Sequence, residues 1–336
     1  GLCHANLLAS VIFAGMSGSA VADAGGVGTL EIKAMKDEGY DAETAAAITA
    51  ASATIGPIIP PSLPMVIYGV SADVSIGGLF LAGVIPGLLM AGALMAMVVH
   101  VAKKRDLPRH PFPGMAQLWI AYKEAHWALM TPVILFGGMM AGIFTPTEAA
   151  VVATAYALVL GLFVYRSFDL DDLPELVVQT VETTGVVLAL VMTAAALGWC
   201  LSISRIPQTF GPMIVDLVGN PLVFLLVVNL MLLFVGCFME GLAAMLILIP
   251  ILTPAAAQFG IDPVQFGLIF VLNLMIGTIT PPVGVVLFVT SKIADVSIEA
   301  MSRAIVPWLI PLLAVLAAIT YWPPLTTFLP QLFMGR

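Results

Sequence analysis

The sequence predicts an all-α polytopic membrane protein, organised as an inverted-topology repeat with two re-entrant helical hairpins and two proline-broken helices. Three observations carry this. Of 336 residues, 60% are hydrophobic and 10% charged, against about 25% charged in soluble domains. Charge-free apolar runs recur along the whole chain without the two-residue alternation of a β-barrel. Two of these runs, 44–72 and 263–291, are each 29 residues long and each is interrupted by a double proline, Pro60-Pro61 and Pro281-Pro282, 221 residues apart.

A helix of that length overshoots a bilayer core, which takes about 20 residues at about 1.5 Å each. Proline removes an N–H and collides with the preceding turn, so the helix unwinds there. Unwound backbone at membrane depth is tolerated only where it faces protein or a wet cavity. Matched interruptions in two halves of a membrane chain point to the ion and substrate site of a transporter.

The two halves align at the same offset. Gly39-Tyr40-Asp41 matches Gly260-Ile261-Asp262, Gly15 matches Gly236, Ile48 matches Ile269 and Pro86 matches Pro307. Ala72-Asp73-Val74-Ser75-Ile76 recurs as Ala294-Asp295-Val296-Ser297-Ile298 after a one-residue insertion. This divides the chain into a first repeat at 1–101, an interfacial connector with scaffold spans at 102–220, and a second repeat at 221–336.

Each repeat opens with a hairpin. Apolar half-length helices over 1–14 and 221–235 reach small or polar tips, Ser17-Gly18-Ser19 and Met239-Glu240-Gly241, and return over 20–35 and 242–258. Arms nearer 15 than 20 residues suit re-entrant elements rather than spans. The proline-broken helix and one full span follow in each repeat. Between the repeats, residues 107–126 mix proline, aromatics and charge beside Lys103-Lys104-Arg105, which suits a helix along the membrane interface, and spans follow near 128–145, 147–165 and 176–201. Thr145-Pro146-Thr147-Glu148 and the acidic run Asp169–Glu175 read as helix-start caps.

Basic residues agree with this parse. If the loop at 33–44 is cytoplasmic, so are Lys33, Lys36, Lys103, Lys104, Arg105, Arg109, Lys123, Arg166, Lys292 and Arg303, leaving only Arg205 and Arg336 outside the positive-inside rule. The first hairpin then enters from the cytoplasm and the second from the opposite side. The chain opens at Gly1, partway into an apolar run without a basic leader, and is expected either to lack an N-terminal portion or to follow a cut or fusion point.

Enzyme readings find no support. The four histidines are scattered, no His-Glu-x-x-His or Gly-Lys-Ser/Thr phosphate loop occurs, and Cys3, Cys200 and Cys237 show neither metal spacing nor a disulfide framework. Nothing suggests nucleic acid. The chemistry lies instead at the tips and breaks, which expose carbonyls and hydroxyls at similar depth. In the first half the candidate ion ligands are Ser17, Ser19 and backbone around Gly56, Ile59 and Pro61; in the second they are Glu240, Thr280 and backbone around Phe238, Gly277 and Pro282. Hard oxygen ligands in this number suit Na⁺, whereas isolated Ser, Thr and Gly of this kind also serve helix packing. Glu240 either binds an ion or caps the helix that follows it. Asp23, whose repeat partner is Ala244, poses the same choice and is a candidate substrate-site residue. Asn273, paired in the repeat with Ser52, either reaches substrate or braces two helices.

The motifs Gly15-Met16-Ser17-Gly18-Ser19-Ala20-Val21-Ala22-Asp23-Ala24-Gly25-Gly26, Gly56-Pro57-Ile58-Ile59-Pro60-Pro61-Ser62 and Gly277-Thr278-Ile279-Thr280-Pro281-Pro282-Val283-Gly284 occur in order. Together they make a pattern that resembles the large membrane subunit of tripartite ATP-independent periplasmic (TRAP) transporters over essentially the whole chain. The resemblance implies a secondary importer of organic acids such as dicarboxylates, keto acids or sialic acids, in the bacterial or archaeal cytoplasmic membrane. It implies a soluble periplasmic binding protein that delivers the substrate, a small four-helix membrane subunit (separate or fused), coupling to two or more Na⁺ ions without an organic cofactor, and an elevator motion of the domain bearing the hairpins. Carried onto this chain, one Na⁺ site falls at Ser17, Ser19, Gly56 and Pro61, the other at Glu240, Gly277 and Thr280, and substrate lies near Gly18, Thr54 and Asn273. The alternative is a stand-alone Na⁺–anion symporter that needs no binding protein.

Overall fold

The computed structural model describes residues 1–105, 114–204 and 218–335, and among them every regular element is helical. Arg109, His110, Arg205, Arg336 and the first part of the predicted interfacial segment lie outside the described residues. Among the described residues six helices are long and apolar enough to cross a membrane, which makes this a multi-pass membrane protein. The chain forms two compact units, one from Gly1–His110 with Gly198–Arg336 and the other from Pro111–Leu197.

The first unit begins with α1 (Leu2–Ser17), which ends at Gly18 in the left-handed region, φ 60°. The chain turns back through α2 (Ala20–Gly25) and α3 (Val27–Asp37). Sequence reading expected one helix over 20–35; the pair Gly25-Gly26 divides it, with Gly26 at φ −85°, ψ −96°. A Cβ at Gly26 would lie 2.9 Å from the Ala22 carbonyl oxygen, which the Gly26 N–H caps. Gly39 then turns at φ 86°, and the Asp41 side chain accepts the Thr44 N–H at 2.9 Å to start α4 (Ala42–Ala53).

The first double proline lies in a non-helical stretch between α4 and α5 (Leu63–Ala72), and Ser62 caps α5 by accepting the Met65 N–H at 3.2 Å. The long helix α6 (Ile76–Arg105) lies across this break. Gly83 and Gly87 make that approach possible: a Cβ at Gly83 would run into the Ile58 carbonyl, and one at Gly87 into the Ile59 side chain.

The second stretch of this unit repeats the sequence of local structures. Helices α10 (Pro221–Phe238) and α11 (Gly241–Gln258) meet at Met239-Glu240. Gly260 turns at φ 69°, and Asp262 accepts the Val264 and Gln265 N–H groups at 2.9 Å to start α12 (Pro263–Gly277). The second double proline separates α12 from α13 (Val285–Ala294), and α14 (Ile298–Tyr321) and α15 (Pro324–Met334) complete the chain. Both Pro-Pro bonds are cis, and α5 and α13 both end in a left-handed aspartate, Asp73 and Asp295. Lys36 donates to the Ala294 carbonyl at 3.0 Å, placing a cation on the C-terminal end of α13.

Helices α4 and α12 run through the core. Thr44 to Ala53 and Gln265 to Gly277 are buried without exception, as expected for helices apolar on every side. At 12 and 15 residues, neither is long enough to cross a bilayer core alone. One expectation is corrected here: the arms of the second hairpin are 18 residues each, not half-length. The turn takes only two residues, and Pro250 and Pro254 leave α11 unbroken, so the apolar run stays helical almost to the tip.

The second unit contains α7 (Met115–Met140) and α8 (Pro146–Val159), the latter extended by a π-helical turn at Leu160–Val164. A short 3₁₀ turn, Leu170–Asp172, leads into α9 (Leu173–Ile203), in which the boundary with the first unit falls. The sequence predicted an interfacial helix ending near 126 and a separate span; α7 is continuous instead. No glycine or proline occurs from Met115 to Thr131, so nothing stops the helix there. The expected caps are present: Thr145 and Glu148 form a capping box, as do Asp169 and Asp172.

Candidate ion and substrate site

Each hairpin tip is seated on the unwound segment of its own half. In the first half, Gly18 lies against the end of the break, where an added Cβ would come within 2.7 Å of the Pro61 carbonyl oxygen and 3.2 Å of the Leu63 nitrogen. Ser17 donates its hydroxyl to the Asp23 carboxylate, and the Ser19 N–H reaches the Ser17 hydroxyl oxygen at 3.4 Å. Ser19 itself caps α2, accepting the Ala22 N–H at 3.4 Å. Asp23 is buried, and its second carboxylate oxygen occupies the space a Cβ on Gly56 would fill. Ser17, Gly18, Ser19, Asp23, Gly56 and Pro61 are therefore one neighbourhood. None of the described hydrogen bonds ends on the carbonyls of Gly56, Ile59 or Pro61. Ser62 instead donates to the Pro57 carbonyl at 2.5 Å, which holds the unwound segment in shape.

The second half is built on closer backbone contact. Gly236 of α10 and Gly277 of α12 meet directly, an added Cβ at Gly277 lying 2.6 Å from the Gly236 Cα. The Gly284 N–H donates to the Cys237 carbonyl at 3.1 Å, and the Val286 N–H to the Thr278 carbonyl at 3.0 Å, so tip and break are tied through main chain. Thr280 is half-buried and donates to the Ile276 carbonyl at 2.7 Å, while its N–H occupies the Gly277 carbonyl at 2.9 Å. Phe238, Glu240 and Pro282 are exposed, and no described hydrogen bond ends on the Phe238 or Pro282 carbonyl. The Glu240 carboxylate accepts the Ala243 N–H at 2.9 Å, so of the two readings of this acid the helix cap is the one seen.

Two candidate substrate residues are sealed in the core. Thr54 is fully buried and donates to the Ala51 carbonyl at 2.7 Å. Asn273, also fully buried, donates its amide to Asn229 Oδ1 at 2.6 Å and to the Asn229 carbonyl at 3.0 Å; Asn229 in turn donates to Thr320 at 3.1 Å. This is the bracing arrangement between α10, α12 and α14. Replacing Asn273 by Ala is expected to cost about 1–3 kcal/mol, because the Asn229 acceptor is left without its donor in the interior. Thermal unfolding in detergent checks this; an unchanged midpoint with a raised KM for substrate would instead make Asn273 a substrate contact.

One polar cluster was not singled out from sequence. Asn6, Glu31, Thr49 and Ser52 join α1, α3 and α4, with Asn6 bonded to Glu31 and Thr49 at 2.8 Å and accepting from Ser52 at 2.9 Å. The available signal was a lone glutamate in the return arm of a hairpin, at a position where the other half carries Leu252. Among the described residues no group of three or more His, Cys, Asp or Glu is placed to hold a metal ion, so the oxygens on offer are carbonyls, hydroxyls and at most paired carboxylates.

Residues 1–325 match the family described as "Tripartite ATP-independent periplasmic transporter, DctM component". The chain belongs to the DctM family. Among similar proteins is the sialic acid TRAP transporter large permease protein SiaM of Vibrio cholerae, 48% identical over 99% of this chain and 78% of that protein. The C4-dicarboxylate TRAP transporter large permease protein DctM of Pseudomonas aeruginosa is 41% identical over 98% of this chain and 78% of its own length. The isethionate TRAP transporter permease protein DctMQ of Oleidesulfovibrio alaskensis is 43% identical over 98% of this chain but only 52% of its own length. This chain thus spans from about half to about four-fifths of the relatives it matches. DctM-family relatives named for different organic anions share these levels of identity, and their names place the family among transporter permeases rather than enzymes.

Proposed function

We propose that this chain is the membrane-spanning core of a Na⁺-coupled secondary importer of an organic acid, working in the cytoplasmic membrane with a small four-helix membrane subunit and a periplasmic binding protein. The observation that carries the reading is the seating of both hairpin tips on the unwound, proline-broken segments, Gly18 against Pro61 and Cys237 against Gly284. Paired sites of this kind near mid-depth are where transporters place ions and substrate. The two halves are proposed to be inverted relative to one another, in keeping with the distribution of lysine and arginine. Unoccupied carbonyls at Gly56, Ile59 and Pro61, with the hydroxyls of Ser17 and Ser19, would serve one Na⁺; carbonyls at Phe238 and Pro282, with Gly277, Glu240 and Thr280, would serve the second. Substrate would lie between the tips near Gly18, Asp23, Thr54 and Asn273.

In this mechanism Na⁺ offsets the exposed carbonyl dipoles and holds each tip on its break, leaving a cavity suited to an anion. A half-filled polar site is disfavoured in the bilayer by desolvation, which couples ion and substrate movement. An elevator motion would carry the paired hairpins and breaks across as one body. The relatives' names favour an anionic substrate, with sialic acid, C4-dicarboxylate and isethionate all represented.

The test is uptake into proteoliposomes by the complete transporter, with and without an inward Na⁺ gradient and with and without the binding protein. Dependence on both is expected. Equal uptake without the binding protein would establish a stand-alone symporter, and uptake indifferent to Na⁺ would remove the coupling. Replacing Thr280 by Ala is expected to raise the Na⁺ concentration for half-maximal uptake several-fold, the loss of one ligand at about 1 kcal/mol. The same half-maximal Na⁺ as wild type would take Thr280 out of the site.

A further inference from the structure

The return arm of the first hairpin carries two acids, Asp23 and Glu31, that turn inward onto α1 and α4. Asp23 is 4% exposed; one of its oxygens accepts from Ser17 and the other, Oδ2, is buried without a hydrogen-bond partner. Glu31 accepts from Asn6 through Oε2 at 2.8 Å, and its Oε1 is likewise buried and unpartnered. The helical face between them is made of Gly28, pressed onto α4 so closely that a Cβ would lie 2.7 Å from the Thr49 methyl and 3.1 Å from the Asp23 carbonyl oxygen. The hydrogen bonds these two carboxylates accept come from neutral side chains, Ser17 and Asn6. Lys36, on the same helix as Glu31, is spent on the Ala294 carbonyl.

Packing does not require these acids. At the matching positions of the second half stand Ala244 and Leu252, both buried and apolar. Two negative charges without a countercharge at membrane depth are costly and mark function. They would also repel an anionic substrate held at the neighbouring tip. Either a proton or a cation must therefore neutralise them in the working protein. The lining favours the cation: Asp23, Glu31 and Thr49 present several oxygens and no thiol or imidazole, the donor set of a hard ion.

We propose that Asp23 and Glu31 hold a monovalent hard cation of their own, in addition to an ion at each hairpin tip. The proposal rests on the transport reading only for naming that ion as Na⁺. Asp23 borders the first tip through Ser17 and Gly56, while Glu31 stands farther along the arm and has no part in either tip site. Glu31 is thus the residue that separates this site from them.

The test uses the purified complete transporter. Glu31→Gln is nearly isosteric, and its carbonyl still accepts from Asn6, so the fold is retained. Thermal midpoints are followed as NaCl replaces choline chloride, and Na⁺ per substrate is read from reversal potentials in proteoliposomes. In Glu31→Gln the Na⁺ needed for half-maximal stabilisation is expected to rise at least about tenfold, about 1.4 kcal/mol, and the coupling number to fall by one ion. Glu31→Asp, which keeps the charge, should recover part of the Na⁺ response. An unchanged Na⁺ response and coupling number in Glu31→Gln would overturn the proposal, as would a change in coupled protons rather than coupled Na⁺. If wild-type uptake needs Na⁺ and Glu31→Gln matches it, this site falls and the transport reading stands. If wild-type uptake ignores Na⁺ but the variant still loses Na⁺-dependent stabilisation, the transport reading falls and the site stands.

Discussion

Replacing Gly18 by alanine is expected to reduce uptake by the assembled transporter about 100-fold or more while the protein still accumulates in the membrane. Two independent costs meet at this position. Gly18 is left-handed at φ 60°, which costs a residue with a Cβ about 1–2 kcal/mol. The new methyl would also lie 2.7 Å from the Pro61 carbonyl oxygen, 3.2 Å from the Leu63 nitrogen and 3.2 Å from the Ser62 Cα. All three are backbone atoms, so no rotamer change relieves the overlap, and overpacking of this kind costs about 1–3 kcal/mol. The cheapest response is for the tip to lift off the break, which separates Ser17 and Ser19 from Pro61. A loss of about 3 kcal/mol in the seated state is roughly 100-fold in rate. Gly39 is the control: it has φ 86° but nothing within 4 Å of a Cβ, so Gly39→Ala carries the backbone cost alone. Uptake by Gly18→Ala equal to that by Gly39→Ala would show that seating the tip on the break is unimportant.

Gly277→Ala is expected to fail at an earlier stage, in folding. Its methyl would lie 2.6 Å from the Gly236 Cα and 2.8 Å from the Gly236 carbonyl carbon, and the reciprocal distance from Gly236 to the Gly277 Cα is 3.0 Å. Here two helix backbones touch through paired glycines, the close approach that small residues permit between membrane helices. Helices α10 and α12 would have to separate along the contact, which pulls the Asn229–Asn273 bond and the Gly284–Cys237 bond with it. The cost is expected at or above the upper end of the 1–3 kcal/mol range for overpacking. Size-exclusion profiles and thermal midpoints in detergent give the readout. Gly241→Ala is the graded comparison, because its Cβ would meet the Met275 Cε at 2.7 Å, the movable end of a flexible side chain. Equal midpoints for Gly277→Ala and wild type would contradict the packing argument.

Much of the helical framework was legible because its signals are local. Proline cannot continue a helix, and both double prolines lie between helices. Thr145 with Glu148 and Asp169 with Asp172 form capping boxes at the helix starts read from sequence, side-chain oxygens taking up free N–H groups there. Other boundaries were misjudged for equally local reasons. The Gly25-Gly26 break in the first return arm and the continuity of α7 past residue 126 both follow from where glycine and proline fall, a signal to which hydropathy gave too little weight.

Direction was the harder problem. In helices apolar all round, such as α4 and α12, no polar face reveals which way a lone Ser, Thr or Asn points. Asn273 was read as facing substrate or bracing helices; only the arrival of α10, bearing Asn229 from 44 residues earlier, supplies the brace for its amide nitrogen, while its Oδ1 is left without a partner. Glu240 depended on whether its side chain curled back onto the Ala243 N–H, a choice of rotamer. The Glu31 cluster needed three helices to meet before it existed at all.

What the sequence by itself determined is where the backbone stops being helical: at Gly18, at the two double prolines and at Met239-Glu240. These are properties of neighbouring covalent geometry and of the cost of burying polar backbone. Which groups those interruptions face was decided only by tertiary structure. Gly18 against Pro61, Asp23 against Gly56 and Gly236 against Gly277 are contacts between segments far apart in the chain. Their partners are set by how closely each pair of helices approaches and how each is rotated, quantities that no local pattern carries.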